Sequence, residues 1–505
     1  MISEINSPMT HNSIAPRARL LAMTLLLVAA PVTACNDLLT EKPKDRISTE
    51  AFYQTAADAK AAIAATYRPL STGALWGTNL QWALNAATDE SRVGPEEENP
   101  VIVALTQLAW TTTNLYVAGT NAGNGAWAGL YQMITRANLV LAKVPAIDMP
   151  EADKNQILAE AKFLRALAYF YLVRLYGDVP LVTTPEEQAA LGGRTPQAQV
   201  FAQIVKDAAE AEAALPASWA ATDKGRATKG SAQALLAEQY IWRKDWPTAA
   251  ANAKKIIDSN IYGLQANYIN AFLPGSQNRN EEVFAAQSSS ATGAPAIDIA
   301  AWEYPRAMNP NSNGGWGTWQ PLQSFINTYP TGDYRREVSF FTSGRDPNNN
   351  VVTFLPHVYK FRPTARPGQQ DVNWPIYRYA DVLLMYAEAL NEQGQTALAI
   401  PYVNMVRARA RNGTGAEART SPADLPTTLT QAQARQAIFD ERKWELAYEG
   451  KRWFDLVRQG FPAFQAAQAT DPTVIPANIQ ASRMVWPIPQ AQIDLNPSLT
   501  QNPGY

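Results

Sequence analysis

The sequence predicts a mostly helical protein in which helical hairpins form a scaffold. A large irregular, loop-rich half is expected to carry a few short strands. Apolar residues recur at helical spacing through residues 127–260 and 376–460, and a shorter helical stretch covers 51–70. Residues 71–126 and 265–375 are instead rich in Gly, Asn, Pro and aromatic side chains, a composition typical of loops.

Individual helices follow from the apolar stripes. Apolar side chains from Leu164 to Leu175 recur every three or four residues, and Gly177 then favours a helix end. Further helices are predicted at 376–393, 396–410 and 431–459. A β-prone run is visible at 351–354, and the Pro-rich C-terminal segment 461–505 is expected to be mostly irregular.

A weak internal repeat has an offset of 149 residues. Leu235 then corresponds to Leu384 and Ala250 to Ala399, and each copy reads as helix, tight turn, helix. Small residues such as the two alanines allow helices of a hairpin to pack closely. The pattern resembles degenerate tetratricopeptide units, which predicts a scaffold of stacked helical hairpins.

The N-terminus carries an export signal. A basic start, a short apolar run at 20–30 and small residues before a break form a signal peptide over 1–34. The signal ends at Cys35, the single cysteine of the chain, in a sequence that resembles a bacterial lipoprotein box. We therefore expect cleavage before Cys35, acylation of its side chain, a polar tether over 35–50, and one folded body over 51–505.

Composition excludes several kinds of chemistry. If Cys35 is acylated, the mature chain has no other thiol, and His357 is its single histidine. Disulfides, thiolate metal sites and cysteine nucleophiles are therefore absent, and a histidine-based relay would depend on one residue. The net charge of −2 gives no basic surface for a nucleic acid. The 14 Trp, 20 Tyr and 15 Phe suit core packing and neutral ligands with flat apolar faces, such as sugar rings.

Several segments, in this order, resemble the SusD/RagB family of outer-membrane nutrient-binding lipoproteins. They follow the lipoprotein box and are GDVPL at 177–181, RYADVLLMYAEA at 378–389, ERKWELAYEGKRWFDLVR at 441–458 and NPGY at 502–505. Each motif is weak by itself, but the ordered set covers nearly the whole mature chain.

The resemblance implies four tetratricopeptide-like units with an irregular half docked on them. It also implies a partner, a SusC-like TonB-dependent outer-membrane barrel, over which the protein sits as a lid. The protein would be anchored to outer-membrane lipid through Cys35, face the exterior, capture a nutrient that is usually an oligosaccharide, and pass it on without catalysis. No cofactor is expected, although the Asp- and Asn-rich loops have the oxygen ligands that a calcium ion would need.

The irregular segments supply the candidate ligand contacts. Exposed aromatic rings stack on pyranose faces, while amides bond the hydroxyls. In the insertion 265–375 the candidates are Trp302, Tyr304, Trp316 and Trp319, next to Asn313. The segment after the first helix offers Trp76, Trp82 and Trp110, with Asn85, Asp89 and Arg92 nearby. Replacing Trp316 and Trp319 by alanine is expected to weaken ligand binding with little loss of stability.

Charged residues near the C-terminus are interpreted as structural. Glu441, Glu445 and Glu449 lie at i, i+4 and i+8 of the predicted helix 431–459. They are expected to pair with arginines of the same helix, which are Arg435, Arg442, Arg452 and Arg458. Asp333 and Arg335 are likewise expected to form an ion pair. Aromatic residues on the helical stripes, such as Trp127 and Trp453, are assigned to the core.

Two other functions remain open. The first is the same lid role for a non-sugar nutrient such as a peptide. The second is a secreted glycoside hydrolase that uses two carboxylates, Glu445 among them. A ligand screen distinguishes the first alternative, and product formation would reveal the second.

Overall fold

Helices make up most of the fold, as the apolar periodicity predicts. The computed structural model describes residues 52–95, 97–119, 124–190, 192–289, 297, 303–308, 315–346, 348–361, 371–413 and 419–505. The predicted signal peptide, Cys35 and the tether lie outside these residues and stay predictions. Within the described residues, Thr55–Tyr505 form one compact unit. None of the described helices combines the length and the apolar character that a membrane crossing requires.

The helices occupy the segments in which the sequence shows an apolar stripe. In chain order they are α1 Ala56–Tyr67, α2 Asn79–Ala86, α3 Pro100–Thr106, α4 Gly125–Lys143, α5 Glu151–Tyr176, α6 Pro185–Ala189, α7 Gln197–Ala214, α8 Lys229–Trp242, α9 Trp246–Asp258, α10 Gln323–Ile326, α11 Tyr334–Ser339, α12 Tyr379–Glu392, α13 Thr396–Ala410, α14 Gln431–Glu445, α15 Arg452–Gln459, α16 Phe461–Gln468 and α17 Gln490–Leu495.

The longer helices pack in succession and build the scaffold. α4 packs on α5, α5 on α7, α7 on α8, α8 on α9 and α9 on α12, while α12 also contacts α13 and α14. The predicted stripe of α5 is buried at Leu164, Leu167 and Leu175. This helix ends at Gly177, whose φ of +75° is one that glycine adopts readily, so the predicted end is confirmed.

The internal repeat corresponds to two helical hairpins. The first is formed by α8 and α9, and the second by α12 and α13. Each turn contains one residue with positive φ, Lys244 at +60° and Gly394 at +76°. Ala250 and Ala399 are both buried, as expected for small residues that allow close helix packing.

One predicted helix is wrong in extent. The helix expected at 431–459 is divided into α14 and α15, and residues 446–451 form a turn between them. Tyr448 and Gly450 have φ of +61° and +69°, which a right-handed helix excludes. Glu449 therefore lies in this turn and not on the helix face shared by Glu441 and Glu445.

Short antiparallel strand pairs lie in or next to the irregular half. β1 Ser91–Val93 pairs with β3 Trp319–Pro321, β2 Glu282–Ala286 with β6 Trp374–Arg378, and β4 Phe340–Arg345 with β5 Val351–Val358. The β-prone run at 351–354 is thus a strand. Pairing of β1 with β3 connects the segment after α1 to the insertion 265–375, although the two are far apart in sequence.

Candidate functional site

Trp316 stands out among the predicted ligand contacts because its side chain is open to solvent. Its exposed fraction is 45%, and it is the one aromatic residue in the exposed class among the residues that the structure describes. An exposed indole costs apolar hydration, so a protein gains from covering it with a ligand face. Trp302 and Asn313 lie outside the described residues and stay predictions.

Two glycines with positive φ flank Trp316. The flanking residues Gly315 and Gly317 have φ of +75° and +59°, a region that glycine enters without strain. A Cβ on Gly315 would lie 2.7 Å from the carbonyl oxygen of Pro305. The Gly317 amide donates to the Tyr304 carbonyl at 2.8 Å, and Nε of Arg306 donates to the Trp316 carbonyl at 2.9 Å. The loop is therefore tied to residues 304–306. We call Tyr304, Arg306 and Trp316 the Trp316 platform.

An aromatic cluster lies beneath the platform. The Tyr304 ring is half-buried, and its centroid is 5.1 Å from that of Phe341 on β4 and 6.1 Å from that of Tyr359. Phe341 and Tyr359 are themselves 4.5 Å apart. The hairpin of β4 and β5 thus supports the platform from below. Tyr304 keeps part of its ring exposed, and its predicted contact with a ligand stays a prediction.

The β1–β3 ladder, whose β3 strand begins three residues after Trp316, pairs two polar side chains. Arg92 faces Gln320 in the register, and its Nε and Nη2 donate to Oε1 of Gln320 at 3.2 and 3.0 Å. Guanidinium and amide groups are the types that bond sugar hydroxyls. Neither Gln320 nor Arg306 was among the predicted site residues. In the sequence, the glycines on both sides of Trp316 are the feature that could have indicated this loop.

The other predicted tryptophans are buried. Exposed fractions are 1% for Trp76 and Trp110 and 3% for Trp82 and Trp319. Trp82 stacks on Tyr116 at 5.2 Å between centroids and meets Trp319 edge-on at 5.2 Å. Because protein atoms cover these rings, they offer no open face on which the predicted ligand could stack. The expectation that loss of Trp319 costs little stability is wrong for the same reason.

Trp76 and Trp110 join the irregular segment to the rest of the protein. Trp76 packs edge-on against Tyr171 of α5, with centroids 5.0 Å apart. Nε1 of Trp110 donates to the hydroxyl of Tyr505 at 2.8 Å. Their burial shows that the first irregular segment is part of the core.

The carboxylates near the C-terminus form a buried ion network. Glu441 and Glu445 are fully buried and Glu449 is 3% exposed, so their structural interpretation is confirmed. Their partners are not the predicted arginines of the same helix. The observed ion pairs join Glu441 to Arg335 and Arg407, Glu445 to Arg335, Arg378 and Arg409, and Glu449 to Lys360 and Arg378. The arginines of 435–458 pair elsewhere.

The electrostatics of Glu445 do not suit proton transfer. Burial opposes its ionisation, but Arg409, Arg378 and Arg335 outweigh burial and lower its pKa to about 2. A general acid of a hydrolase needs a raised pKa. Asp333 forms the predicted ion pair with Arg335 at 2.7 Å and belongs to the same network.

The described residues offer no cluster of three or more His, Cys, Asp or Glu side chains arranged to hold a metal ion. His357 is buried on β5, where its Nδ1 lies 2.6 Å from the Leu355 carbonyl and its ring packs against Phe341 and Phe354. These contacts assign the histidine to the core of the hairpin.

Comparison with known proteins agrees with this architecture. A model of the SusD family matches residues 338–505, and a model described as "Starch-binding associating with outer membrane" matches residues 41–241. The chain belongs to the SusD family. The family resemblance recognised in the ordered motifs is thereby confirmed.

Relatives of the SusD family match over most of their length. SusD-like protein P2 of Formosa agariphila is 29% identical over 520 residues, which cover 96% of this chain and 99% of that protein. The starch-binding protein SusD of Bacteroides thetaiotaomicron is 22% identical over 488 residues, covering 81% and 82%. Among solved structures, a laminarin-binding SusD-like protein is 26% identical, with a TM-score of 0.74 and coverage of 90% of this chain and 100% of that chain. The mostly helical SusD-like fold is therefore confirmed.

Proposed function

We propose that this protein binds an oligosaccharide at the Trp316 platform and delivers it, uncleaved, to a SusC-like TonB-dependent outer-membrane transporter. The observation that carries the proposal is the exposed indole of Trp316, whose backbone is fixed by flanking glycines and by hydrogen bonds to Tyr304 and Arg306. A flat, rigid ring covers a pyranose face at a low cost in conformational entropy. Arg306 supplies hydrogen-bonding groups next to it.

The comparisons support the ligand class. One family model carries a starch-binding description, and one solved neighbour of this fold binds laminarin. The same family description associates these proteins with the outer membrane. We propose that acyl chains on Cys35 anchor the protein there and that the platform faces the exterior.

Calorimetric titration tests the ligand assignment. The soluble protein without residues 1–35 is titrated with oligosaccharides of laminarin, starch and plant cell walls, and the mixtures are assayed for cleavage products. We expect one class to bind without hydrolysis. Binding of peptides but of no glycan would favour the non-sugar nutrient, and cleavage products would favour the hydrolase.

Variants locate the binding surface. Trp316→Ala is expected to weaken binding of the oligosaccharide at least about tenfold, or about 1.4 kcal/mol, because the stacking face is lost. Leu398→Ala is the matched control, since Leu398 is 60% exposed on the scaffold helix α13. Unchanged affinity in a folded Trp316→Ala variant would contradict the site.

The transporter partnership needs the full-length protein. Detergent-solubilised outer membranes should yield the protein together with a TonB-dependent barrel. Recovery of the acylated protein alone, from membranes that contain such barrels, would contradict the delivery step.

A further inference from the structure

A cavity that none of the Trp316 platform residues lines lies between the loop after α7 and the segment around β2. Its volume is about 190 Å³, and its walls include Trp219, Tyr262 and residues 278–280. That volume is well above the about 10–15 Å³ that one water molecule needs by the same measure. The cavity therefore has room for a small ring.

The aromatic wall of the cavity is fixed by its own contacts. Nε1 of Trp219 donates to the Ala227 carbonyl at 2.7 Å, and the guanidinium carbon of Arg226 lies 3.9 Å from the Trp219 ring centroid. Arg226 is held in turn by Glu160, to which its Nε donates at 2.9 Å, and by Asp223 at 2.8 Å. A ligand would meet a preformed wall, which keeps the entropy cost of binding low.

The charges that line the cavity are mostly positive. Lys224, Arg226 and Arg279 contribute three cations, while Glu282 is the one carboxyl among the lining residues. Arg226 is neutralised by Glu160. Within the part of the chain that the structure describes, Lys224 and Arg279 are exposed and form no ion pair with a carboxylate.

Glu282 is hydrogen-bonded to neutral amides. Its carboxyl accepts hydrogen bonds from Nδ2 of Asn373 at 3.0 Å and from Nε2 of Gln287 at 3.4 Å. Burial raises the pKa of the Glu282 carboxyl. Lys224 and Arg279 therefore line a cavity with an aromatic wall and have no carboxylate partner among the described residues.

Neutral polar groups complete the lining. The Tyr262 hydroxyl lies 2.8 Å from Oγ1 of Thr228, and Nδ2 of Asn278 donates to Gln287 at 2.9 Å. Asn280 is exposed at the rim. Hydroxyl and amide groups next to two cations suit a ligand that carries both hydroxyls and an anionic group.

We propose that this cavity is a second ligand site, which binds an acidic monosaccharide unit. Its carboxylate or sulfate pairs with Lys224 and Arg279, and its ring packs against Trp219 and Tyr262. The site adds a preference for anionic sugars to a protein whose platform presents an indole for a neutral ring face.

Calorimetry or ligand-detected NMR with matched sugars tests this proposal. Glucuronate and glucose 6-sulfate are compared with glucose, which has the same ring without the charge. We expect at least one acidic sugar to bind at least about tenfold more tightly than glucose. The affinity should fall as salt is raised to about 0.5 M, because exposed charges are screened. The better of the two acidic sugars identifies carboxylate or sulfate as the anionic group.

The double variant Lys224→Gln/Arg279→Gln is expected to bind the acidic sugar at least about tenfold more weakly than the parent does. Lys206→Gln/Lys254→Gln is the matched control, because both lysines are more than half exposed and lie elsewhere on the scaffold. Both variants change exposed side chains, and their melting curves verify folding. Equal binding of glucose and both acidic sugars, acetate binding as well as glucuronate, or full affinity in the Lys224/Arg279 variant would each overturn the proposal.

Discussion

The two irregular segments of this protein have similar composition but differ in whether they present a tryptophan to solvent. In the described part of residues 71–126, Trp76, Trp82 and Trp110 are buried. In the described part of 265–375, Trp316 is 45% exposed. Loop-like composition therefore indicates irregular backbone but does not indicate exposure. A loop becomes core when other elements cover it, and that depends on contacts distant in sequence.

Contacts of the first segment explain its burial. All eight residues of α2 are buried, and the helix touches α4, α15 and β1. The second segment places its hairpin of β4 and β5 nearer the surface, where Val351 and Leu355 are 67% and 51% exposed. The tryptophans of the first segment therefore stabilise the fold, while the second segment buries Trp319 and Trp374 and leaves Trp316 available to a ligand.

The largest effect is expected for Trp82→Ala. Deleting a buried indole that packs on Tyr116 and Trp319 should lower the free energy of unfolding by about 3–5 kcal/mol. Trp316→Ala, the matched exposed case, should change it by less than about 0.5 kcal/mol. Urea denaturation measures both values, and equal losses in the two variants would remove the distinction between the segments.

Loss of a buried ion pair should lower the stability of the protein more than loss of an exposed one. Glu445→Gln removes the buried carboxylate that Arg335, Arg378 and Arg409 share, and should cost about 3 kcal/mol of stability. Glu392→Gln is the control, because its partner Arg435 is 44% exposed and such pairs contribute about 1 kcal/mol or less. Comparable melting temperatures for the two variants would show that the buried network is dispensable.

Glu90 provides a pH test at the junction of the two segments. Its carbonyl accepts the Leu322 amide at 3.0 Å, and burial, followed by the neighbouring Asp89, raises the pKa of its carboxyl to about 8. The folded state keeps this proton while the unfolded state releases it above an ordinary pKa of 4.5. Stability should therefore fall as pH rises from about 4.5 to about 8.

Removal of the Glu90 carboxyl should make the free energy of unfolding depend less on pH. Glu90→Gln has no proton to release, so its stability relative to the parent should rise across the same window, by on the order of 2 kcal/mol. Chemical denaturation at several pH values across this window measures the difference. A constant difference across the window would contradict a raised pKa at Glu90.

The smallest change in free energy is expected for ligand binding at the platform. Trp316→Ala should weaken the proposed oligosaccharide by about 1.4 kcal/mol, which is about tenfold, while Trp316→Phe keeps a flat ring and should retain part of the affinity. Partial rescue by phenylalanine in calorimetry would identify stacking as the cause. Equal loss in both variants would point to the loop conformation instead.

The hairpins could be predicted from sequence because their signals are local. The repeat between Leu235 and Leu384, and the end of α5 at Gly177, depend on neighbours within a few residues. The break in the helix at Tyr448 and Gly450 was missed, because the apolar and charged pattern continues through a turn that tertiary contacts stabilise. One such contact is the hydrogen bond from the Tyr448 hydroxyl to the Glu90 carbonyl at 2.9 Å.

The ion network and the tryptophans show the limit of local reasoning. Spacing on one helix suggested that Glu441 and Glu445 pair with arginines of 435–458, but their partners come from Arg335, Arg378, Arg407 and Arg409. A carboxylate inside a protein requires hydrogen-bonded cations around it, and the fold supplies them from several elements.

The sequence by itself determined the helical hairpins, the family and the structural nature of the C-terminal carboxylates. Helical periodicity, glycine at a helix end and ordered motifs are properties of neighbouring residues, which do not require the fold to be known. Only the tertiary structure decided which tryptophans are exposed and which charges meet. Burial depends on the elements that cover a side chain, and β1 brings Arg92 to Gln320 across 228 residues of chain.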